Sequence, residues 1–178
     1  GFVPEPAPTS GCVDRHLIMR RHLPQAGHSI RPAEPDEAAA ILGVVRQAVS
    51  ETNARDYTPE AIAFILAEIS VASVSAHLAQ WDVWVVTDRE GAVCGTASFD
   101  GCRVRQVFVA PAFQGQGLGS VLMDAVERAA LDAGLERLGV RASLTAVPFY
   151  EARGFVAQDR FAWGPAPMVP MERRFPAS

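Results

Sequence analysis

Residue patterning along this chain is that of a mixed α/β (α+β) protein, with about seven strands and about four helices around one sheet. Three features carry that reading. Val- and Trp-rich runs at 81–87, 92–99 and 102–109 are joined by Asp-containing turns, the mark of neighbouring hairpin strands. Apolar residues recur at spacings of three and four in 41–49, 62–69 and 118–129, the period of amphipathic helices. A strand, a long helix and another strand then follow one another between 102 and 142, which mixes a crossover unit with the hairpins.

Taken in order, residues 1–27 carry four prolines and no sustained period, and read as an N-terminal extension. Leu17, Ile18 and Met19 form a small apolar cluster there, which would also suit a docked arm. The domain proper spans 28–178. His28 to Pro32 is a short strand. Pro35-Asp36-Glu37 opens a helix, with acids where they complement the helix dipole, and Ile41, Val44, Val45 and Val49 form its apolar stripe. Thr58-Pro59-Glu60 is a second start, a capping threonine before a proline at the first helical position. Ile62, Ile65, Leu66 and Ile69 continue that helix; Ser70 to Ser75 is expected to break it, with one more turn at Ala76–Gln80.

Trp81–Thr87 and Ala92–Phe99 are strands around the Asp88–Gly91 turn. Asp100-Gly101 reverses the chain into Cys102–Val109, and Pro111 stops that strand. The stripe Leu118, Val121, Leu122, Ala125, Val126, Ala129 is a helix that Gly134 ends. Leu138–Ala142 is a strand, Pro148–Ala152 a short helix, and Phe155–Trp163 with Met168–Phe175 a closing strand pair around Gly164-Pro165.

Composition narrows the function. The 178 residues suit one domain, with 49% hydrophobic and 20% charged residues. A net charge of −4 leaves no basic excess for phosphate backbones, so no nucleic-acid partner is expected. All 16 basic residues are arginine, which excludes a lysine Schiff base and a lysine-bearing P-loop. Cys12, Cys94 and Cys102 show no CxxC spacing, so neither a disulfide framework nor a cysteine-rich metal site is expected. No apolar run approaches ~18 residues and no signal pattern is visible, so a cytoplasmic protein without membrane contact is expected.

The segment that carries chemistry is Val107-Phe-Val-Ala-Pro-Ala-Phe-Gln-Gly-Gln-Gly-Leu-Gly-Ser120. A strand ends, and a helix starts inside a run with glycines at 115, 117 and 119. Glycine lets backbone approach a ligand, and the first helical amides are free donors that favour an anion. An ordinary glycine-rich turn has the same look, and the spacing GxGxG is not the dinucleotide fingerprint GxGxxG. Two flanking features shift the balance: Val107-Phe-Val-x-Pro upstream, and Val147-Pro-Phe149-Tyr150-Glu-Ala-Arg-Gly154-Phe155 downstream.

With Gln114-x-x-Gly117-x-Gly119 between them, residues 104–156 resemble the GNAT superfamily of N-acetyltransferases. The resemblance implies a mostly antiparallel sheet with a splay between two central parallel strands, here those ending at Val109 and near Ala142. It implies acetyl-coenzyme A as co-substrate and no metal. The cofactor set would be Val107, Phe108, Val109, Gln114, Gly115, Gln116, Gly117, Leu118, Gly119, Ser120 and Ser143. Within it, backbone at Val107 and Val109 would hold the pantetheine arm, and amides from Gln114 to Ser120 the pyrophosphate. Tyr150 matches the family tyrosine that faces the cofactor sulfur, and would act as general acid to the thiolate; a buried tyrosine can equally be a packing residue. Ser143 stands where many relatives have asparagine.

The strand before the glycine loop reads Arg103-Val-Arg105-Gln106, without the carboxylate that some relatives use as base. The proton would then pass to ordered water, to backbone carbonyls or to a side chain from elsewhere; Glu51, His77 and Asp100 are the side-chain candidates, and each also has a structural explanation as helix surface, core edge or Asp-Gly turn. Arg103 and Arg105 would suit an acidic acceptor, or be solvated strand residues. Cys102 as an acyl-carrying nucleophile fits poorly, since no histidine is near it in sequence. Tyr57, Phe64, Trp81 and Trp163 are candidate lining groups of an acceptor pocket. The expected acceptor is a primary amine on a small molecule or a peptide N-terminus, and a homodimer is among the expectations. A non-catalytic acyl-coenzyme A sensor is the competing function, and a Rossmann-type nucleotide domain a third.

Overall fold

The computed structural model describes residues 27–176. The predicted extension, its apolar cluster and Cys12 thus lie outside the described residues, apart from Gly27. Elements follow in the order β1 (Ser29–Pro32), α1 (Ala38–Gln47), α2 (Pro59–Ala67), α3 (Val71–Gln80), β2 (Asp82–Thr87), β3 (Val93–Phe99), β4 (Arg103–Val109), α4 (Leu118–Asp132), β5 (Arg137–Ser143), α5 (Val147–Ala152), β6 (Val156–Ala157), β7 (Phe161–Trp163) and β8 (Ala166–Arg174). All eight strands belong to one sheet, ordered β1-β2-β3-β4-β5-β8-β6, with β7 also on β8. Among the described residues only β4 and β5 pair in parallel; the other pairings are antiparallel. The expected mixed, mostly antiparallel sheet is what forms.

Local chemistry sets the turns. Asp88 Oδ1 accepts from the amides of Glu90 and Ala92, both at 2.9 Å, and so closes the β2–β3 turn. Asp100 Oδ1 does the same for Cys102 and Arg103 at 3.0 and 2.8 Å. Thr58 Oγ1 accepts from Ala61 N at 3.2 Å and caps α2.

Two departures from expectation have local causes. The helix does end ahead of Ser70, at Ala67, but the expected break over Ser70–Ser75 is shorter than that: Ser70 starts the next helix at Val71. Its hydroxyl accepts from Ser73 N at 3.2 Å while Ser73 Oγ accepts from Ser70 N at 3.0 Å, a reciprocal cap that launches α3 and makes five helices. The run 155–163 is not one strand but two, β6 and β7. Each pairs with a different part of β8, Val156 with Glu172 and Phe161 with Met168.

Helices cover both faces. On one, Leu122, Met123 and Val126 of α4 pack against Phe99, Leu138 and Met171 of the sheet, all essentially inaccessible to water. Each such side chain contributes roughly 1.5–3 kcal/mol through burial. On the other, Ile41, Val45 and Val49 pack with Val74 of α3 and Val85 of β2. After Gln47 the first helix widens into a π-turn, Ala48–Thr52, followed by a 3₁₀ turn, Asn53–Arg55. Such widenings are uncommon and are frequent at functional sites; this one points the next residues toward the middle of the sheet.

Tyr57 ties three segments together. Its hydroxyl donates to Pro167 O at 2.7 Å and accepts from Leu144 N at 3.0 Å. Tyr57→Phe removes the acceptor of a part-buried amide, a loss of about 1–3 kcal/mol. The midpoint of thermal unfolding should fall by roughly 2–4 °C for each kcal/mol lost. An unchanged midpoint in a melting experiment would show that this bridge does not hold the fold.

Candidate active site

β4 and β5 pair only at Arg103↔Gly139 and Val104↔Val140. Both strands then continue, to Val109 and Ser143, without pairing with each other. From Arg105 onward one edge of β4 is therefore open, while its other edge stays on β3. Backbone groups on such an edge must find partners outside the sheet. A cavity of ≈ 390 Å³ opens there, with Val107, Phe108 and Val109 on one arm and Ser143 on the other.

The glycine loop closes one end of this cavity. Gly115 and Gly117 hold φ of 76° and 78°, the left-handed region that costs a side chain strain. A Cβ at either would meet no protein atom within 4 Å, so glycine is required by the backbone and not by crowding. Gly117 caps α4. The consequence is a row of donors. Gln114 N already bonds Pro111 O at 3.3 Å and Ser120 N bonds Gly117 O at 3.1 Å, but the amides of residues 115–119 between them have no backbone acceptor among the described residues. Five neighbouring N–H groups at a helix start form a site for an anion. The loop is pinned from behind: Gln114 Nε2 donates to Thr52 Oγ1 at 2.8 Å and to Val109 O at 2.9 Å, which ties it to the π-turn.

Tyr150 sits on α5, which starts with Pro148 in its first turn. The phenol is 4% exposed, with Phe149 and Phe155 edge-on at 5.2 and 5.3 Å. Burial pushes its pKa well above the usual phenol range, only partly offset by the Arg153 charge. Its hydroxyl makes no hydrogen bond to the described protein and is free to donate elsewhere. Arg153 anchors this helix to α4, through Glu127 at 3.0 Å and Asp124 at 2.5 Å.

A second cavity of ≈ 370 Å³ lies on the α1–α3 side and shares Asn53, Val107, Phe108, Ser143, Ala146 and Tyr150 with the first. Tyr150 thus stands at the junction of two chambers. Asn53, 8% exposed, is there too, and its side-chain amide bonds no described residue. Thr145 Oγ1 is likewise buried without a partner beside the first chamber.

A family model, described as the acetyltransferase (GNAT) domain, matches residues 53–175. The chain belongs to the GNAT acetyltransferase family. Solved structures share its fold. A GCN5-related N-acetyltransferase from Rhodopseudomonas palustris superposes with a TM-score of 0.78 at 26% identity, over 90% of this chain and 99% of its own. PaiA N-acetyltransferase from Thermoplasma acidophilum, solved with coenzyme A, gives 0.71 at 15% identity, over 83% and 99%. YncA from Salmonella typhimurium, solved with acetyl-CoA, gives 0.64 at 21%, over 85% and 95%. No curated protein matches the sequence.

In this GNAT domain the predicted residues converge. Val107, Phe108, Val109, Gln114, Gly115, Gly117, Leu118, Gly119, Ser120, Ser143 and Tyr150 all line the first chamber. Gln116 does not line it, although its amide belongs to the donor row. Of the three candidate bases, His77 alone lines the second chamber, together with Trp81, Trp163, Arg103 and Arg105. Glu51 is exposed and off both chambers, and Asp100 is held in its turn. Phe64 supports Trp163 edge-on at 5.2 Å, and Tyr57 is structural. Cys102 is exposed, with its thiol on Asp100 at 3.2 Å; neither it nor Cys94, whose pKa burial pushes up to about 11, lines a chamber.

Sequence reasoning missed Asn53, Thr145, Glu68 and Arg141. Arg141 had a readable signal, since it lies two residues before Ser143 and so shares its face of β5. The other three owe their places to tertiary packing. Among the described residues no group of three or more His, Cys, Asp or Glu is placed to hold a metal, and no single helix is long and apolar enough to cross a membrane.

Proposed function

We propose that this protein transfers an acetyl group from acetyl-CoA directly to a primary amine, with Tyr150 as acid to the departing thiolate. One observation carries the proposal: the glycine loop with its unbonded amides (all but residue 116 on the lining), the open edge of β4 and the buried phenol of Tyr150 line one continuous space. Acetyl-CoA would supply an activated thioester, a diphosphate and two amide groups. The chain's residues fit each part. The unbonded amides of residues 115–119 would meet the diphosphate without any lysine, and the free edge at Val107 and Val109 offers ladder bonds to pantetheine amides. Thr145 Oγ1 and Ser143 offer hydroxyls on the opposite arm.

Proton handling follows from the same geometry. The raised pKa keeps Tyr150 protonated at any working pH, as an acid to a thiolate must be. The acceptor amine must lose a proton. His77 lines the second chamber, where burial, and then the Arg105 charge, hold its imidazole below its usual range. It is therefore uncharged near pH 7 and is the candidate to take that proton, as a weaker base than a free imidazole; its Nδ1 is buried without a protein partner.

The test is a panel of primary amines with acetyl-CoA, read as release of free thiol. Thiol release that depends on an amine is the expected result. Coenzyme A binding without release for any amine would replace catalysis with a sensor role.

A further inference from the structure

We infer that the amine acceptor also carries a carboxylate, on an apolar or aromatic body, and that Arg141 together with Arg105 recognises it. The inference rests on the acetyltransferase reading and names its substrate class.

Val104 and Val140 are the last residues at which β4 and β5 pair with each other. The next residue on each arm is an arginine, Arg105 on one and Arg141 on the other. On β4 the register against β3 also shifts here, from Phe99↔Val104 to Ser98↔Gln106, so Arg105 is the extra residue of a β-bulge. Bulges re-aim side chains and gather next to active sites. Both arginines line the second chamber.

Charge counting in that chamber favours an anion. Its lining holds three guanidinium groups, of Arg103, Arg105 and Arg141, against one carboxylate, of Glu68. Asp100 adds a second carboxylate from outside, at 4.0 Å from Arg103 and 3.6 Å from Arg105. Burial and the Arg105 charge hold the His77 imidazole below its usual range, so it adds little positive charge near pH 7. Arg141 has no acidic partner among the described residues; its guanidinium lies over the Phe161 ring at 5.3 Å. Arg105 similarly lies over Trp81 at 4.8 Å, and His77 stacks on that ring at 3.9 Å.

Stacking fixes the plane of a guanidinium without consuming its donors, and a planar fork suits a carboxylate. A polyamine would have to bring further ammonium groups among these cations. A protein N-terminus has an amide where a free amino acid has its carboxylate. Trp81, Phe161 and Trp163 supply apolar walls, and ≈ 370 Å³ is the scale of a small-molecule site. The acceptor that satisfies all of these is amino-acid-like, its amine toward Tyr150 and its carboxylate toward the arginine pair.

The experiment compares phenylalanine, phenylalaninamide, phenethylamine and spermidine with acetyl-CoA, using the full chain and its Arg141→Gln and Arg141→Lys variants. Phenylalanine should exceed its amide in kcat/KM by at least about tenfold. Arg141→Gln should raise KM for phenylalanine about 10- to 100-fold and bring the acid-to-amide ratio close to one, with Arg141→Lys between. Equal or better use of the amide or spermidine, or an undiminished ratio in Arg141→Gln, overturns the inference and leaves acetyl transfer standing. If no amine releases thiol, calorimetric binding of phenylalanine in the presence of coenzyme A decides. Binding weakened by Arg141→Gln upholds the anion site although catalysis has failed, and no binding refutes it.

Discussion

Replacing Tyr150 with phenylalanine is expected to lower kcat about a hundredfold or more, with the affinity for coenzyme A nearly unchanged. General acid catalysis contributes about 10²–10⁴ in rate. The substitution isolates that contribution for a structural reason. The phenol hydroxyl has no partner among the described residues, so its removal orphans no donor or acceptor. The ring keeps its edge contacts with Phe149 and Phe155, and α5 keeps its Arg153 anchors on Glu127 and Asp124. Stability should therefore be almost the same as in the parent. Burial raises the pKa of this group, so it stays protonated as pH climbs through the usual phenol range. No alkaline fall in rate near pH 10 should be traceable to it. Steady-state kinetics with coenzyme A titration settle the matter: a variant with undiminished kcat would remove Tyr150 from the mechanism.

Gly117→Val should weaken coenzyme A binding by about tenfold or more and destabilise the fold as well. At φ 78° a β-branched residue is strained by about 1–3 kcal/mol. No protein atom lies within 4 Å of the added Cβ, so the loss comes from the backbone and not from a clash. If the chain relaxes that strain by turning at residue 117, the amides on either side no longer point the same way, and each 1.4 kcal/mol lost is a factor of ten in affinity. Gly119→Ala is the matched comparison. Its φ is ordinary and its Cβ would sit 3.5 Å from Phe149, a normal contact. It should bind better than the valine variant at 117. Equal affinities of Gly117→Val and parent, measured by calorimetry, would mean that the donor row holds nothing.

Much of this was legible in the linear sequence because the signals are local. The stripe from Leu118 to Ala129 specifies a helix by period, Asp100-Gly101 specifies a reversal, and the glycines at 115, 117 and 119 mark a turn whose backbone can approach a ligand. Errors arose where one residue type serves opposite ends. Ser70 followed by Ser73 can interrupt a helix or cap one, and only the reciprocal bonding seen in three dimensions decides. The run 155–163 hid a division into two short strands, because its partner β8 is continuous and gives no sign of the change. Asn53 reached the chamber junction through a π-turn, a half-step of helical geometry with no compositional mark. Glu68 and Thr145 are likewise ordinary helix-end and loop residues until the sheet gathers them.

The two halves of the sheet, β1–β4 and β5–β8, are stitched in register by only two residue pairs before the gap begins. Across the rest of that seam the missing rungs must come from whatever molecule lies in it. Its guest is thus also mortar: filling the seam should slow the opening of amides on both flanking strands together, and coax two separately breathing leaves into one.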